Sequence, residues 1–468
     1  IQTTWGQDRY YNTHCPADAA GPDGHCLTGC VATAMAQIMR YHRHPATGFG
    51  SHTYVHPTYG TLAASFGATT YDWDAMPAGS LTAYTPAVAQ LMFHAGVSVE
   101  MDYGTGISQS STVDGMAALR GHFRYHPGIR EVARADHSRA EWDQLLTDEL
   151  DAGRPMVYDG PGHAFLCDGY DSSSPRLYHF NWGWDGLYDG YYALTALTPG
   201  SDNFTAEQRA FLGIQPEGDI YLAPPYTQSF EGAALPPNWF AEGDYVSLST
   251  AAATHGAQSL HIGPTAAVGY TLNSVLIKLS VPAGGAALAF DCRRETTATA
   301  GDFDQFTCQV RQPYGEEVLA TVFDGPARDT AWRQWLVNLR PYAGQDVSLF
   351  LQVEGPTVGQ WAWMLVDNVR LVDTPIAQFN APRRTWFANR PLTFVNGSAN
   401  AATYAWTFPG GTPATSNAVS PTVTYATPGV YDVSLTVTNG NGTDTQSESQ
   451  YLTILPEPAI PYSTDFEA

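Results

Sequence analysis

The sequence predicts an α+β domain followed by domains built from β-strands alone. In the first 217 residues, some segments carry apolar residues at helical spacing and others have the pattern of strands. Beyond about residue 223 the helical spacing disappears, and short apolar strands alternate with clusters of Gly, Pro, Asn and Asp. This second pattern is typical of β-sandwiches. The chain of 468 residues is also too long for a single hydrophobic core.

The composition is that of a globular protein and argues against two classes of partner. Hydrophobic residues make up 44% of the chain and charged residues 14%, which excludes a disordered chain. The net charge of −23 would repel the phosphates of a nucleic acid. There is no run of about 18 apolar residues, so no membrane span is predicted. Abundant Gly, Pro and Tyr with few Lys and Arg favour a secreted or cell-surface protein.

The N-terminal domain is predicted to contain helices over residues 31–42, 86–96 and 141–152. In the first of these, apolar residues recur every three or four positions without an interrupting Gly or Pro. Between residues 155 and 194 the pattern changes to strands and turns. The combination predicts an α+β domain.

Changes of pattern also mark the domain boundaries. Strands are predicted over residues 287–292, 306–310, 347–353 and 364–371 of a sandwich domain. Residues 225–231 recur in similar form as residues 461–467, which indicates the start of another sandwich domain. The predicted domains are residues 1–222, 223–374 and 375–455, with 456–468 as a linker and the start of the repeat.

Cys30 is the candidate nucleophile. It stands where the Gly-containing loop Thr28-Gly29 meets the first predicted helix. Unpaired N–H groups and the dipole at a helix N-terminus are expected to lower the pKa of a thiol there. A thiolate is the reactive form of cysteine in acyl transfer.

His163 is the candidate base, because a thiol nucleophile is commonly paired with a histidine far downstream. It is predicted to be the first side chain of a strand, after Gly160-Pro161-Gly162. Either Asn181 or the ring of Trp182 could orient its imidazole. Gln7, upstream of the nucleophile, is the candidate donor to the oxyanion of the tetrahedral intermediate.

The N-terminal domain resembles the streptopain family of bacterial cysteine peptidases, which have a papain-like fold. The resemblance lies in residues 29–42, 101–104, 162–165 and 181–184. It implies Cys30 as nucleophile, His163 as base, and an oxyanion hole formed by Gln7 and the Cys30 amide. Asn181 and Trp182 remain joint candidates for orienting the imidazole. Gly162 and Ser108 are implied as substrate-binding residues, and no cofactor is needed for catalysis.

The C-terminal domains resemble modules of other surface proteins. Residues 223–374 resemble the jelly-roll modules of bacterial adhesins, and residues 376–455 resemble an Ig-like domain of the polycystic-kidney-disease (PKD) type. In related jelly-roll modules, residues in the positions of Glu231 and Asp367 hold calcium, so structural calcium is an expectation. These modules are expected to contact a cell surface or a host protein.

Two cysteine pairs are candidate disulfides. Cys15 and Cys26 flank a loop just before Cys30, and two unrelated thiols are the alternative. Cys292 and Cys308 lie on consecutive predicted strands, equidistant from a polar tip, and packing of two thiols is the alternative there.

The function predicted from these residues is a secreted, monomeric cysteine endopeptidase acting on protein substrates. The alternative is a non-enzymatic adhesin that uses a peptidase-like domain as a scaffold. A thiol amidohydrolase acting on small amides is a third possibility. The set of Gln7, Cys30, His163 and Asn181 or Trp182 favours the peptidase.

Overall fold

The computed structural model describes residues 1–172, 174–218, 220–297, 305–314, 317–326, 329–355 and 360–457. The chain forms two compact units, residues 1–219 and residues 220–468. The predicted start of a further sandwich domain at 461–467 lies outside the described residues. In the part of the chain that is described, no helix has both the length and the apolar character needed to cross a membrane.

The first unit is built around a buried central helix. Its helices are α1 (Cys30–His42), α2 (Pro86–Ser98), α3 (Thr112–His122) and α4 (Arg139–Asp151). Short 3₁₀ turns cover Pro22–Gly24, Phe66–Ala68, Trp73–Ala75 and Arg134–Asp136. Every residue of α1 from Val31 to Met39 is buried, so this helix is covered on all sides. α4 begins with a capping box in which Ser138 and Glu141 each bind the other's backbone N–H.

Helix α3 was missing from the sequence prediction, whereas α1, α2 and α4 agree with it to within three residues. Gly115 and Gly121 weaken the helical pattern of this segment. The structure explains one of these glycines. A Cβ at Gly115 would lie 2.8 Å from Cγ1 of Val31, so the glycine lets α3 pack closely on α1.

An antiparallel sheet carries the other half of the unit. After the hairpin of β1 (His52–His56) and β2 (Gly60–Ala64) come β3 (Arg130–Ala133), β4 (Met156–Gly160), β5 (His163–Asp171), β6 (Leu177–Asn181), β7 (Gly190–Tyr192) and β8 (Arg209–Leu212). The order in the sheet is β3-β8-β4-β5-β6-β7. A two-residue turn joins β4 to β5, and it places Gly160 opposite His163.

Both faces of this sheet are covered. Val157 and Leu166 belong to a core shared with α1, α2 and α3. Tyr158 and Phe165, their neighbours along the strands, belong to a second core with Trp142 of α4. Apolar burial on both faces fixes the register of β4 and β5, because a one-residue slip would exchange the two faces. The α+β class predicted for this unit is confirmed.

The second unit begins with a β-sandwich. Its strands are β9 (Tyr221–Leu222), β10 (Tyr226–Gln228), β11 (Phe240–Glu242), β12 (Val246–Ser249), β13 (Ser259–Ile262), β14 (Leu272–Ser280), β15 (Ala287–Thr296), β16 (Gln305–Arg311), β17 (Val318–Phe323), β18 (Asp329–Asn338), β19 (Asp346–Glu354) and β20 (Ala362–Val372). A 3₁₀ turn covers Arg340–Tyr342. One sheet has the order β12-β13-β20-β15-β18, with β10 on β20, and the other has the order β11-β14-β19-β16-β17. β9 pairs with β14, so the unit starts a few residues before the predicted boundary at residue 223.

An Ig-like domain follows the sandwich. Its strands are β21 (Phe379–Asn380), β22 (Thr385–Phe387), β23 (Pro391–Thr393), β24 (Val395–Asn396), β25 (Thr403–Thr407), β26 (Gly411–Thr412), β27 (Thr415–Ser416), β28 (Thr422–Tyr425), β29 (Gly429–Asn439) and β30 (Gly442–Leu455). Its sheets have the orders β22-β30-β29-β25-β27 and β23-β28-β26, and β21 pairs with β24. Trp406 lies at the centre of its core and is 1% exposed. The all-β class predicted for this half of the chain is confirmed.

The joint between the two β-domains is held by asparagine side chains. The carbonyl oxygen of Asp373 accepts hydrogen bonds from the Nδ2 atoms of Asn400, Asn439 and Asn441, at 2.7, 2.9 and 3.3 Å. The backbone N–H of Asn400 donates to Oδ1 of Asn338 in the sandwich, at 2.9 Å. Asn400 is fully buried, so its bond to Asp373 is partly shielded from competing water, whereas the bond from Asn441 is exposed.

Neither predicted disulfide is present in the structure, in which Cys15, Cys26, Cys292 and Cys308 are free thiols. Cys292 and Cys308 are not cross-strand neighbours, as the prediction assumed. β15 pairs with β18 and β20, whereas β16 pairs with β17 and β19 in the opposite sheet. The thiols of Cys15 and Cys26 lie instead beside the tyrosine hydroxyls of residues 103 and 59.

Candidate active site

Cys30 is the first residue of α1, and the backbone before it is in a conformation that requires glycine. Gly29 has φ of 89°, and a Cβ there would lie 2.6 Å from the sulfur of Met101 and 3.0 Å from the carbonyl oxygen of Ser108. A side chain at position 29 would therefore be strained and would collide with this loop. The local sequence thus fixes where the helix begins and where the thiol points.

Burial raises the pKa of the Cys30 thiol above its ordinary value. Backbone N–H groups at Ala164, Val31 and Cys30 itself act in the opposite direction, and the charge of Asp159 adds to the rise. The expectation that the helix N-terminus leaves a lowered pKa was therefore wrong, because desolvation outweighs the N–H groups. With its pKa raised, the Cys30 thiol is protonated near neutral pH.

His163 begins β5, and its ring is held by a backbone carbonyl. Nε2 lies 2.9 Å from the carbonyl oxygen of Trp182. A carbonyl oxygen only accepts, so Nε2 carries the proton of the neutral ring and Nδ1 is the basic atom. The imidazole also stacks on Trp184, with ring centroids 4.9 Å apart and planes at 23°, and lies against Phe204 at 5.3 Å.

Burial lowers the pKa of His163 below its ordinary value. The carbonyl of Trp182 and the charges of Asp202 and Asp159 act in the opposite direction, since each stabilises the imidazolium. The ring is therefore neutral near pH 7 and ready to accept a proton.

Asn181 does not contact His163 but joins three buried segments. Its Nδ2 donates to the carbonyl oxygen of Thr3 at 2.7 Å and to Oε1 of Gln37 at 3.0 Å. Its Oδ1 accepts from Nε2 of Gln37 at 3.2 Å and from the N–H of Gly183 at 3.0 Å. The amide thus fixes the loop that presents the Trp182 carbonyl to the imidazole.

The ring of Trp182 does not orient the imidazole either. It is fully buried, and its Nε1 donates to the carbonyl oxygen of Tyr188 at 3.0 Å. The group of Trp182 that contacts His163 is its backbone carbonyl. The ring that stacks on the imidazole belongs to Trp184, which the sequence reasoning missed. Gly183, with φ of 70°, turns the chain between the two tryptophans.

Gln7 lies at the mouth of the site. It lines a cavity of about 470 Å³ together with Cys30, His163 and Trp184. Its Nε2 donates a long hydrogen bond of 3.4 Å to the carbonyl oxygen of Gly183. A bond of this length is weak, so the amide can be redirected toward an oxyanion. The structure thus brings Gln7, Cys30 and His163 together.

The predicted substrate-binding residues, Ser108 and Gly162, differ in how far they are exposed in the cleft. Gly162, with φ of 73°, completes the turn between β4 and β5 and lines both cavities beside Cys30. Ser108 is 3% exposed, and its hydroxyl donates to the carbonyl oxygen of Leu27 at 2.8 Å and accepts from the N–H of Gly104 at 3.0 Å. The Ser108 hydroxyl therefore holds the loop, and only Gly162 presents an open surface.

A second and larger cavity, of about 770 Å³, also borders Cys30 and His163. It shares Cys30, Gln109, Gly162 and His163 with the smaller cavity, so the two form one cleft that contains both of these side chains. Asp159, on β4, also lines the larger cavity. Asp159 was missed because its position beside Cys30 and His163 depends on the pairing of β4 with β5. A long substrate can extend along both halves of such a cleft.

The proposed calcium residues lie away from this site, in the sandwich. Oδ2 of Asp367 accepts backbone N–H bonds from Thr254 and His255, and Oε1 of Glu231 accepts them from Ala257 and Gln258. The two carboxylates therefore hold one loop, and these oxygens are directed at amides. Among the described residues, no group of three or more His, Cys, Asp or Glu side chains could hold a metal ion. These two carboxylates fit a calcium site poorly, and structural calcium in the sandwich stays a prediction.

Comparison with known proteins gives matches in both units. A model of the Peptidase C10 family matches residues 5–192, and a PKD domain model matches residues 373–454. Streptopain of Streptococcus pyogenes is 34% identical over 225 residues, which cover 43% of this chain and 56% of streptopain. The thiol protease/hemagglutinin PrtT of Porphyromonas gingivalis is 34% identical over 230 residues, which cover 45% of this chain and 26% of PrtT.

A solved structure also matches. The active wild-type interpain A cysteine protease of Prevotella intermedia is 39% identical, with a TM-score of 0.42, over 46% of this chain and 92% of that one. The chain spans 56% of the length of the streptopain relatives that it matches. The streptopain likeness and the PKD-type domain that the sequence predicted are confirmed. Through its N-terminal domain, this chain belongs to the Peptidase C10 family, the family of streptopain.

Proposed function

We propose that the N-terminal domain is a cysteine endopeptidase with Cys30 as nucleophile and His163 as general base. One observation carries the proposal: the Trp182 carbonyl fixes the protonated Nε2 of His163, which leaves Nδ1 as the base in a cleft shared with Cys30. Membership of the Peptidase C10 family supports the same reading. The open cleft that contains the pair favours internal bonds of protein substrates.

The first half-reaction forms a thioester. Nδ1 of His163 takes the thiol proton while Sγ of Cys30 bonds to the carbonyl carbon, and the carbonyl oxygen becomes an oxyanion. The imidazolium then gives that proton to the leaving nitrogen, the C–N bond breaks, and the amine departs. The raised pKa of Cys30 and the lowered pKa of His163 favour a thiol and a neutral imidazole in the free site.

The second half-reaction releases the acid. Nδ1 of His163 takes a proton from water while the water oxygen bonds to the thioester carbon. The tetrahedral intermediate expels the Cys30 thiolate, which recovers a proton from the imidazolium. The side-chain amide of Gln7 and the backbone N–H of Cys30 are the proposed donors to the oxyanion in both halves. Such a donor typically contributes about 10²–10³ in kcat.

The β-domains are proposed to place the enzyme on a surface or on large substrates, outside the cell. The extracellular setting is a proposal that rests on the composition, and the monomeric state is a separate proposal. A non-enzymatic adhesin is less well supported, since the cleft holds a base with a fixed tautomer beside a cysteine at a helix N-terminus.

Hydrolysis of casein by the full chain tests the proposal, with Cys30→Ala as the inactive variant. Cys167→Ala is the matched control, because that thiol is fully buried on β5. Cys30→Ala should lose at least about a thousandfold in kcat/KM with an unchanged unfolding temperature, and Cys167→Ala should stay active. A Cys30→Ala protein that keeps most of its activity would refute the assignment. Cleavage of small amides without casein hydrolysis would favour an amidohydrolase.

A further inference from the structure

Asp159 is a buried carboxylate that lines the cleft together with both reacting side chains. It lies on β4 opposite Ala164, next to the pair formed by Gly160 and His163. Only 7% of it is exposed. None of the steps of peptide cleavage uses this group. Burying a carboxylate costs free energy unless it is paired and hydrogen-bonded, so its partners need an explanation.

Two partners bind the same oxygen of Asp159. The hydroxyl of Thr112 donates to Oδ2 at 2.7 Å, and Nη2 of Arg209 donates to it at 2.8 Å. Thr112 is the first residue of α3 and Arg209 the first of β8, so the carboxylate ties the helical half to the sheet. Arg209 also pairs with Glu131 at 3.3 Å, so two carboxylates share one guanidinium.

We propose that Asp159 and Arg209 act as a charge pair that sets the pH range in which Cys30 and His163 work. The inference rests on the proposed peptidase function. Asp159 is a positioning residue that acts through the dyad, and Arg209 is its counter-charge.

Electrostatics supports this assignment. After the dominant effect of burial, the negative charge of Asp159 raises the pKa of Cys30, because it disfavours a thiolate. Burial lowers the pKa of His163, and the charge of Asp159 acts against this lowering because it favours an imidazolium. Removing the charge should therefore move both limbs of an activity–pH profile to lower pH. Removing the charge of Arg209 should move both limbs to higher pH.

Other charged groups face the dyad, but they lie in more exposed positions. Asp202 raises the pKa of His163 from the loop before β8. The further charged residues that line the two halves of the cleft are Asp8, Arg134, Asp185, Glu207 and Arg209. Within the described lining of the cleft, Asp159 is the charged residue that is buried. Salt and water screen the exposed charges more strongly than this one.

The test measures kcat/KM for a peptide and the rate of Cys30 alkylation by iodoacetamide, each across pH, in the full chain. Asp159→Asn should shift both limbs to lower pH by roughly half a unit or more, the scale expected when a unit charge close to both groups is removed. Arg209→Gln should shift both limbs to higher pH by a smaller amount, because its guanidinium is more exposed than Asp159. In the double variant the two shifts should partly cancel.

Thr112→Val is the control, because it removes a hydrogen bond from Asp159 without changing charge, and it should leave both limbs in place. A uniform loss of activity with unmoved limbs in Asp159→Asn and Arg209→Gln would show a structural tie only and would overturn the inference. If Asp159→Asn fails to fold, the shift of the activity–pH profile in Arg209→Gln decides whether the inference holds. A wild-type chain with neither peptide cleavage nor Cys30 alkylation would instead refute the proposed function.

Discussion

Replacing Asn181 by Ala separates two roles for this buried amide: orienting the imidazole, or holding the loop that does so. The side chain is 2% exposed, and its hydrogen bonds reach Thr3, Gln37 and Gly183. Since His163 is bound by the Trp182 carbonyl, the structure favours the second role. Loss of the amide should therefore lower stability more than chemistry.

The expected loss of stability follows from these bonds. Asn181 makes four of them, two as donor and two as acceptor. At about 1 kcal/mol each, the free energy of unfolding should fall by about 4 kcal/mol. In a domain of about 200 residues this corresponds to a decrease of roughly 8–16 °C in Tm. Activity per folded molecule should fall by about tenfold or less, because the variant keeps the backbone carbonyl that binds Nε2.

Thermal unfolding followed by circular dichroism and peptide turnover well below Tm would be measured on the same preparations. Gln144→Ala is the matched control, since it removes an amide from the exposed face of α4 and should change Tm little. An Asn181→Ala protein with unchanged Tm and a loss of a hundredfold or more in kcat would refute this reasoning. It would return Asn181 to a direct role in orienting the base.

Three further outcomes are expected. Gly29→Ala should lower the free energy of unfolding by at least about 2 kcal/mol and slow alkylation of Cys30, because φ is positive and the Cβ would meet a methionine sulfur at 2.6 Å; unchanged Tm and alkylation would contradict this. Burial lowers the pKa of His42 and of His94 to about 4, so the folded state resists protonation and stability should be lost as pH falls from about 6.5 to 4. Urea unfolding across pH measures this loss, and His94→Gln should make it shallower; an equal slope would count against it. A truncated form of residues 1–218 should fold and cleave small peptides at the full-chain rate, and a loss beyond about tenfold with a normal circular dichroism spectrum would disprove this.

Features that depend on neighbouring residues in the sequence were predicted correctly. Contacts between residues that only folding brings together were not predicted. Cys30 was placed at a helix start because glycine and the apolar spacing of α1 are local signals. The stacking of Trp184 on His163 depends on the pairing of β6 with β5 and on the turn at Gly183 that follows β6. Asp159 reaches the dyad through strand register, which a single sequence does not reveal.

Errors in the sequence predictions have the same origin. The bridge between Cys292 and Cys308 assumed that consecutive strands pair, whereas this sandwich puts them in opposite sheets. The lowered pKa expected for Cys30 followed from its helix position, and the depth of its burial could not be known before folding. The predicted helices and strands are not affected by such errors, because their assignment depends on local periodicity.

The carbonyl of Asp373, with its asparagine donors, also has a mechanical consequence. Hydrogen bonds that converge on one carbonyl oppose bending at this joint, so the sandwich and the Ig-like domain should move together. A pull on the far end of the Ig-like domain would be carried through Asn338 into the sandwich sheets. The joint would then transmit the load instead of absorbing it by stretching.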